Sequence, residues 1–152
     1  MTIRYWLMKT EPEDFSIDDL ARVGTEPWTG VRNYQARNFM RSMQPGHGVL
    51  LYHSSCSPPG VAGIAEVVSP AYPDPTQFQR RSKYFDADSS HEEPRWFLVD
   101  VGFKRKLKRL ITLDEIRELG DVLGDFALIR RGNRLSVLPV TATQWKHILA
   151  LE

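Results

Sequence analysis

The chain has 152 residues, 41% hydrophobic and 26% charged, which is ordinary for one globular domain with its own core, and a single domain over residues 1–152 is expected. Twenty basic against nineteen acidic residues leave a formal net charge of +1, which excludes coating nucleic acid by bulk electrostatics and confines any such contact to a local site. A lone cysteine, Cys56, excludes an intrachain disulfide, the histidines lack zinc-site spacing, and the early charges and short apolar runs argue against a signal peptide or membrane span, so a cytoplasmic protein without membrane contact is expected.

Ile3 to Met8 alternates Ile3, Tyr5 and Leu7 against Arg4, Trp6 and Met8, which predicts an opening strand covered on both faces. Lys9, Thr10 and Glu11 gather a donor, a hydroxyl and an acceptor at its end. A catalytic reading has Lys9 activate Thr10, yet neighbours on a strand face opposite ways, so binding is the easier role. Ser16 with Asp19 predicts a capping box heading a short helix before Gly24. Trp28 to Arg41 then runs a loop into an amphipathic helix. Asn33 is placed as its N-cap, Ala36, Phe39, Met40 and Met43 as its buried stripe, and Arg37 with Arg41 on another side. The loop amides and helix dipole favour an anion beside Trp28, Gly30 and Arg32, a set suited to a base and its phosphate. The same residues also read as a core tryptophan and a solvated helix face.

Val49 to His53 predicts a buried strand with His53 and Ser54 at its rim, forming a long hairpin with Val61 to Val68. Residues 69–94 are rich in proline and charge but carry Tyr72, Phe78, Tyr84 and Phe85, which predicts an ordered excursion. Phe97, Val99, Val101 and Phe103 predict a strand, and the following Lys104, Arg105, Lys106, Lys108 and Arg109 a solvated basic edge. Thr112 with Glu115 caps a helix burying Leu113, Ile116 and Leu119. Val122 to Ile129 is ambiguous with a helical option, and Leu135 to Val137 is a last strand. Thr141 with Gln144 caps a closing helix that buries Trp145, Ile148 and Leu149. Strands and short helices mix without a Rossmann rhythm, so an α+β mixed barrel with helices over its ends is expected. The sequence carries no Gly-rich phosphate motif, metal cluster or nucleophile elbow, and although His53 and Cys56 are close enough in sequence for a thiol and its base, the Pro58, Pro59 loop beside them reads as a structural turn.

Tyr5 to Pro12, Trp28 to Asn38, Tyr52 to Ser54, and Arg134 to Val137 with Pro139 and Val140 resemble an EVE domain over nearly the whole chain. The resemblance implies a PUA-like mixed β-barrel flanked by short helices, related to YTH and ASCH domains. It also implies a non-catalytic module that reads a modified base, most of all a modified cytosine, of DNA or RNA in an aromatic pocket. By likeness to YTH domains, Trp28 is the cage wall and Lys9, Thr10, Glu11 the matching strand end, where the Glu11 carboxylate can accept from a cytosine N4 amine. The second aromatic wall is left among Tyr52, Tyr84 and Phe85. Expected base contacts are Trp28, Thr29, Glu11, Thr10, Asn33 and Tyr52. Expected phosphate contacts are Lys9, Arg32, Arg37, His53 and Ser54, with small anions drawn to the empty site. No catalytic residue, metal or cofactor is expected. The alternative is a small amidohydrolase-like enzyme acting on a modified nucleoside, which the ASCH likeness and Lys9, Thr10, Glu11 suggest.

Overall fold

In the computed structural model, which describes residues 2–152, the alternating patterns become a two-faced sheet. β1 (Tyr5–Thr10) lies inside it, and the short strand β2 (Thr25–Pro27) forms one edge. β3 (Gly48–His53) runs parallel to β1 and returns as β4 (Gly60–Val67), the expected hairpin. β5 (Tyr72–Pro73) and β6 (Phe97–Leu98) pair apart from the main sheet. β7 (Asp100–Thr112) joins β4 to β2, and β8 (Val137–Val140) runs antiparallel to β1 as the other edge. The order β2-β7-β4-β3-β1-β8 has two free ends, so the barrel is a curled half-barrel.

Each inner strand feeds two cores, because successive side chains leave opposite faces. Trp6, Met8, Val49 and Leu51 pack on one side with Ile17, Leu20, Ala36 and Met40, while Leu7, Leu50 and Tyr52 pack on the other with Ile116, Phe126 and Ile148. The helices are set by their caps. Ser16 and Asp19 cap α1 (Ile17–Val23), and Asn33 accepts the Ala36 N–H at 2.9 Å to start α2 (Tyr34–Arg41). Thr112 with Glu115 heads α3 (Leu113–Leu119), and Thr141 with Gln144 heads α4 (Ala142–Leu149). Helix α1 seats directly on β4 because Gly63 lacks a side chain: a Cβ there would lie 2.3 Å from Ile17 Cδ1.

Several local expectations shift in register. The basic run lies within β7 rather than after it, and four of its five cations are paired: Lys104 with Glu66, Arg105 with Glu152, Lys106 with Asp18 and Arg109 with Glu115. The strand expected over Phe97 to Phe103 is interrupted, since Phe97 and Leu98 pair with β5 while Val99 gives its carbonyl to the Trp28 N–H. Val122 to Ile129 holds two 3-10 turns, Gly120–Leu123 and Ala127–Ile129, parted by Gly124 at φ +66°. The last strand runs through Pro139, which an edge strand tolerates because its missing N–H faces no ladder partner. In α4 Trp145 is half-exposed against Tyr5, and Gln144 is buried instead, donating to the Leu123 carbonyl at 2.8 Å.

Candidate functional site

A cleft of about 430 Å³ opens where the end of β1, the β2 edge and the excursion after β4 meet, a volume usual for a small-ligand site. Its first wall is built by β2 and the residues after it. Trp28 extends the ladder by donating its N–H to Val99 O at 3.0 Å, so the two-residue period puts Glu26 and Trp28 on one face. Both line the cleft. Phe15 braces the indole edge-to-face at 6.1 Å, leaving Trp28 9% exposed.

The second wall is the end of β1, with Lys9, Thr10 and Glu11. Thr10 is still in the ladder, opposite His53, and its hydroxyl donates to Phe15 O at 2.7 Å. Lys9 therefore faces away from Thr10, and the lysine-activated hydroxyl considered from the sequence does not form. Burial pushes the Lys9 ammonium below its ordinary pKa and the Glu26 carboxyl above its own. Among the described residues neither carries a salt bridge or a side-chain hydrogen bond, but the Lys9 ammonium lies over the Tyr52 ring, 5.8 Å from its centre, on the face of β1 away from Thr10.

The third wall, Lys83 and Tyr84, comes from the excursion and is pinned by a buried carboxylate. Asp74, fully buried, accepts the Gly30 N–H at 2.8 Å and Arg32 Nη1 at 3.1 Å on one oxygen, and the Thr76 N–H and hydroxyl on the other. Arg32 in turn donates to Tyr84 O at 2.8 Å. Gly30 has φ +88°, and a Cβ on it would meet the Tyr84 ring at 2.5 Å, so ring and loop are in direct contact. Behind this wall Gln77 donates to the Asp74 and Trp96 carbonyls and accepts from Trp96 N–H and Ser89, while the Trp96 indole donates to Asp86 at 2.7 Å. The lining sets Lys9, Arg32 and Lys83 against Glu11, Asp14 and Glu26, so the cleft is polar and balanced. Among the described residues no group of His, Cys, Asp and Glu could hold a metal ion.

A family model described as EVE domain matches residues 4–151. The chain belongs to the EVE domain family. Thymocyte nuclear protein 1 of Homo sapiens is 42% identical to it, over 97% of this chain and 73% of that protein. A crystal structure of a Pseudomonas syringae protein superposes with a TM-score of 0.93 at 50% identity, covering 97% of this chain and 98% of that one. The human THYN1 protein, in a crystal structure in complex with 5-methylcytosine-containing DNA, gives a TM-score of 0.92 at 41% identity, covering 97% and 96%.

This EVE domain brings Lys9, Thr10, Glu11, Trp28, Thr29 and Arg32 together around one cleft, and leaves five other expected contacts outside it. Tyr52 packs into the second core at 3% exposure, and burial pushes its phenol up to about 12. Asn33 spends its side chain on the N-cap of α2, so those helix amides do not open into the cleft. Arg37 donates to Arg95 O at 2.9 Å and covers the Tyr34 ring. His53 accepts the Ile17 N–H on Nε2 at 3.1 Å, and Ser54 continues the backbone pairing to Thr10 O. The anion that the loop was expected to attract is internal: Gly30 and Arg32 are already held by Asp74.

Sequence reasoning missed Glu26, Phe15, Lys83 and Ser136 in the lining of the cleft, and Asp74 behind its wall. Glu26 was legible once β2 was recognised, through its two-residue spacing from Trp28. Asp74 had a signal too, since Asp before Pro and Thr is a turn-capping pattern, and it caps the 3-10 turn Pro75–Phe78. Of the three aromatics offered as a second wall, Tyr84 lines the cleft, while Tyr52 and the exposed Phe85 do not.

Proposed function

We propose that this EVE domain binds nucleic acid by taking one modified base, a modified cytosine above all, into the cleft between Trp28 and Tyr84. The observation that carries the reading is a tryptophan fixed from behind by Phe15 in the wall of a cleft that also holds the unpaired Glu26 carboxylate, with the Lys83 ammonium at its rim. An aromatic face gives stacking that every base can use, and the polar groups supply the edge contacts that distinguish bases. The complex of the human THYN1 protein with 5-methylcytosine-containing DNA supports the same ligand class.

Energetics favours an accessible base. Extruding a base from a duplex costs a few kcal/mol, and stacking returns roughly 1–3 kcal/mol, so the two nearly cancel and single strands bind more tightly than duplexes. Flanking phosphates fall to Lys83, which lines the cleft, and to the exposed Arg80 and Arg81 just before it. None of these three is in an ion pair among the described residues, unlike most of the basic run of β7.

The test is a fluorescence-polarisation titration against one sequence carrying cytosine, 5-methylcytosine or other modified cytosines, as single strand, duplex and RNA. Tighter binding of a modified single strand than of its unmodified counterpart is expected. Equal affinity across the whole panel overturns base reading.

A further inference from the structure

Glu26 is half-buried, lines the cleft on the same face as Trp28, and has no hydrogen-bond or ion-pair partner among the described residues. A carboxylate taken partly out of water with no partner is costly, and a fold carries such a group where a ligand completes it. Its neighbours sharpen the contrast. Glu11 and Asp14 also line the cleft, but both are exposed and keep their hydration without a ligand.

We infer that Glu26, rather than Glu11, reads the base edge: its carboxylate accepts a hydrogen bond from the exocyclic amine of an amino-type base and turns away the keto edge of thymine or uracil. The inference rests on the base-reading function proposed above. An ionised carboxylate offers acceptors only, so it complements the cytosine N4 amine and opposes a thymine O4, which is itself an acceptor. Trp28 then supplies stacking common to all bases, and Glu26 the choice among them.

5-Methylcytosine and thymine share the 5-methyl group and differ at their pairing edge, so a pair of single-stranded oligonucleotides with one or the other at a central position isolates edge reading from methyl reading. The wild type is expected to prefer 5-methylcytosine by at least about tenfold, the worth of one good edge contact. Glu26→Gln should bring that ratio to within about threefold, because an amide both donates and accepts. Thermal unfolding of the variant checks that it is folded, and a Glu26→Asp variant should keep part of the preference, since it keeps the charge. Retention of the wild-type ratio by Glu26→Gln, or its loss on Glu11→Gln instead, overturns the assignment while leaving base reading intact. A wild type that binds neither oligonucleotide better than an unmodified strand overturns base reading and this inference with it.

Discussion

Arg32 and Asp74 form an ion pair at 3.1 Å whose acidic side chain is 1% exposed, and this pair fixes the loop of one cleft wall to the excursion that forms the other. The arginine that looked free to hold a phosphate is a strut. Asp74→Ala leaves the Arg32 charge and the Gly30 and Thr76 N–H groups without their acceptor. Breaking a buried pair from one side costs about 3–5 kcal/mol, and a urea titration should show that loss as a lower midpoint. A change under about 1 kcal/mol, the range of an exposed pair, would show that the pair is not structural.

Gly30→Ala tests the contact with Tyr84. The new methyl group meets the ring, and the positive φ disfavours any side chain. A stability loss of about 1–3 kcal/mol is expected, together with displacement of the Tyr84 ring resonances in an NMR spectrum. An unshifted Tyr84 would disprove the packing described.

Trp28 serves the core and the cleft at once. Trp28→Ala is therefore expected to cost about 3–5 kcal/mol of stability, which confuses folding with binding. Trp28→Leu retains apolar volume and loses the aromatic face, so affinity for the preferred base should drop at least about tenfold in a variant that still melts cooperatively. Full affinity in Trp28→Leu would remove stacking from the account.

Few unpaired cations border the cleft, so about two to four phosphates are expected in the footprint. Log affinity should then fall against log salt with a slope of about −2 to −3. A slope near −8 would require an extended basic track elsewhere on the surface.

Alkaline stability follows from two tyrosines. Burial raises the Tyr52 phenol to about 12, and burial together with the Tyr72–Asp100 hydrogen bond raises Tyr72 to about 12. Unfolded, both titrate near 10, so between about 10 and 12 the unfolded chain gives up protons that the folded chain keeps. Their contribution is complete below pH 10 and is lost as pH rises through about 12. Tyr52→Phe should flatten the fall in melting temperature over that window, and an unchanged profile would mean that Tyr52 ionises without unfolding.

Local chemistry made much of the fold readable. The boxes at Ser16, Thr112 and Thr141, the Asn33 cap and the stripe of Ala36, Met40 and Met43 depend on residues three or four apart, and they formed where expected. The site depended on pairings over longer distances. Nothing near Arg32 shows that its partner is Asp74, 42 residues away, and Tyr52 was a candidate base contact and second aromatic wall until the register of β3 against β1 turned it into the second core. The His53 imidazole likewise became the acceptor for the Ile17 N–H once α1 packed beside it.

The excursion that carries Tyr84 and Lys83 is knit by its own contacts through Gln77, Trp96 and Asp86, whereas Trp28 and Glu26 belong to the main sheet. In the proposed base reading, recognition is thus divided between a chassis and a cassette, joined where Arg32 meets Asp74 and Tyr84 and where Arg37 meets Arg95. Exchange of the cassette between relatives can alter which ligand is gripped while the stacking surface stays put, so divergence in what such proteins read should gather in residues 75–95 and leave the sheet unchanged.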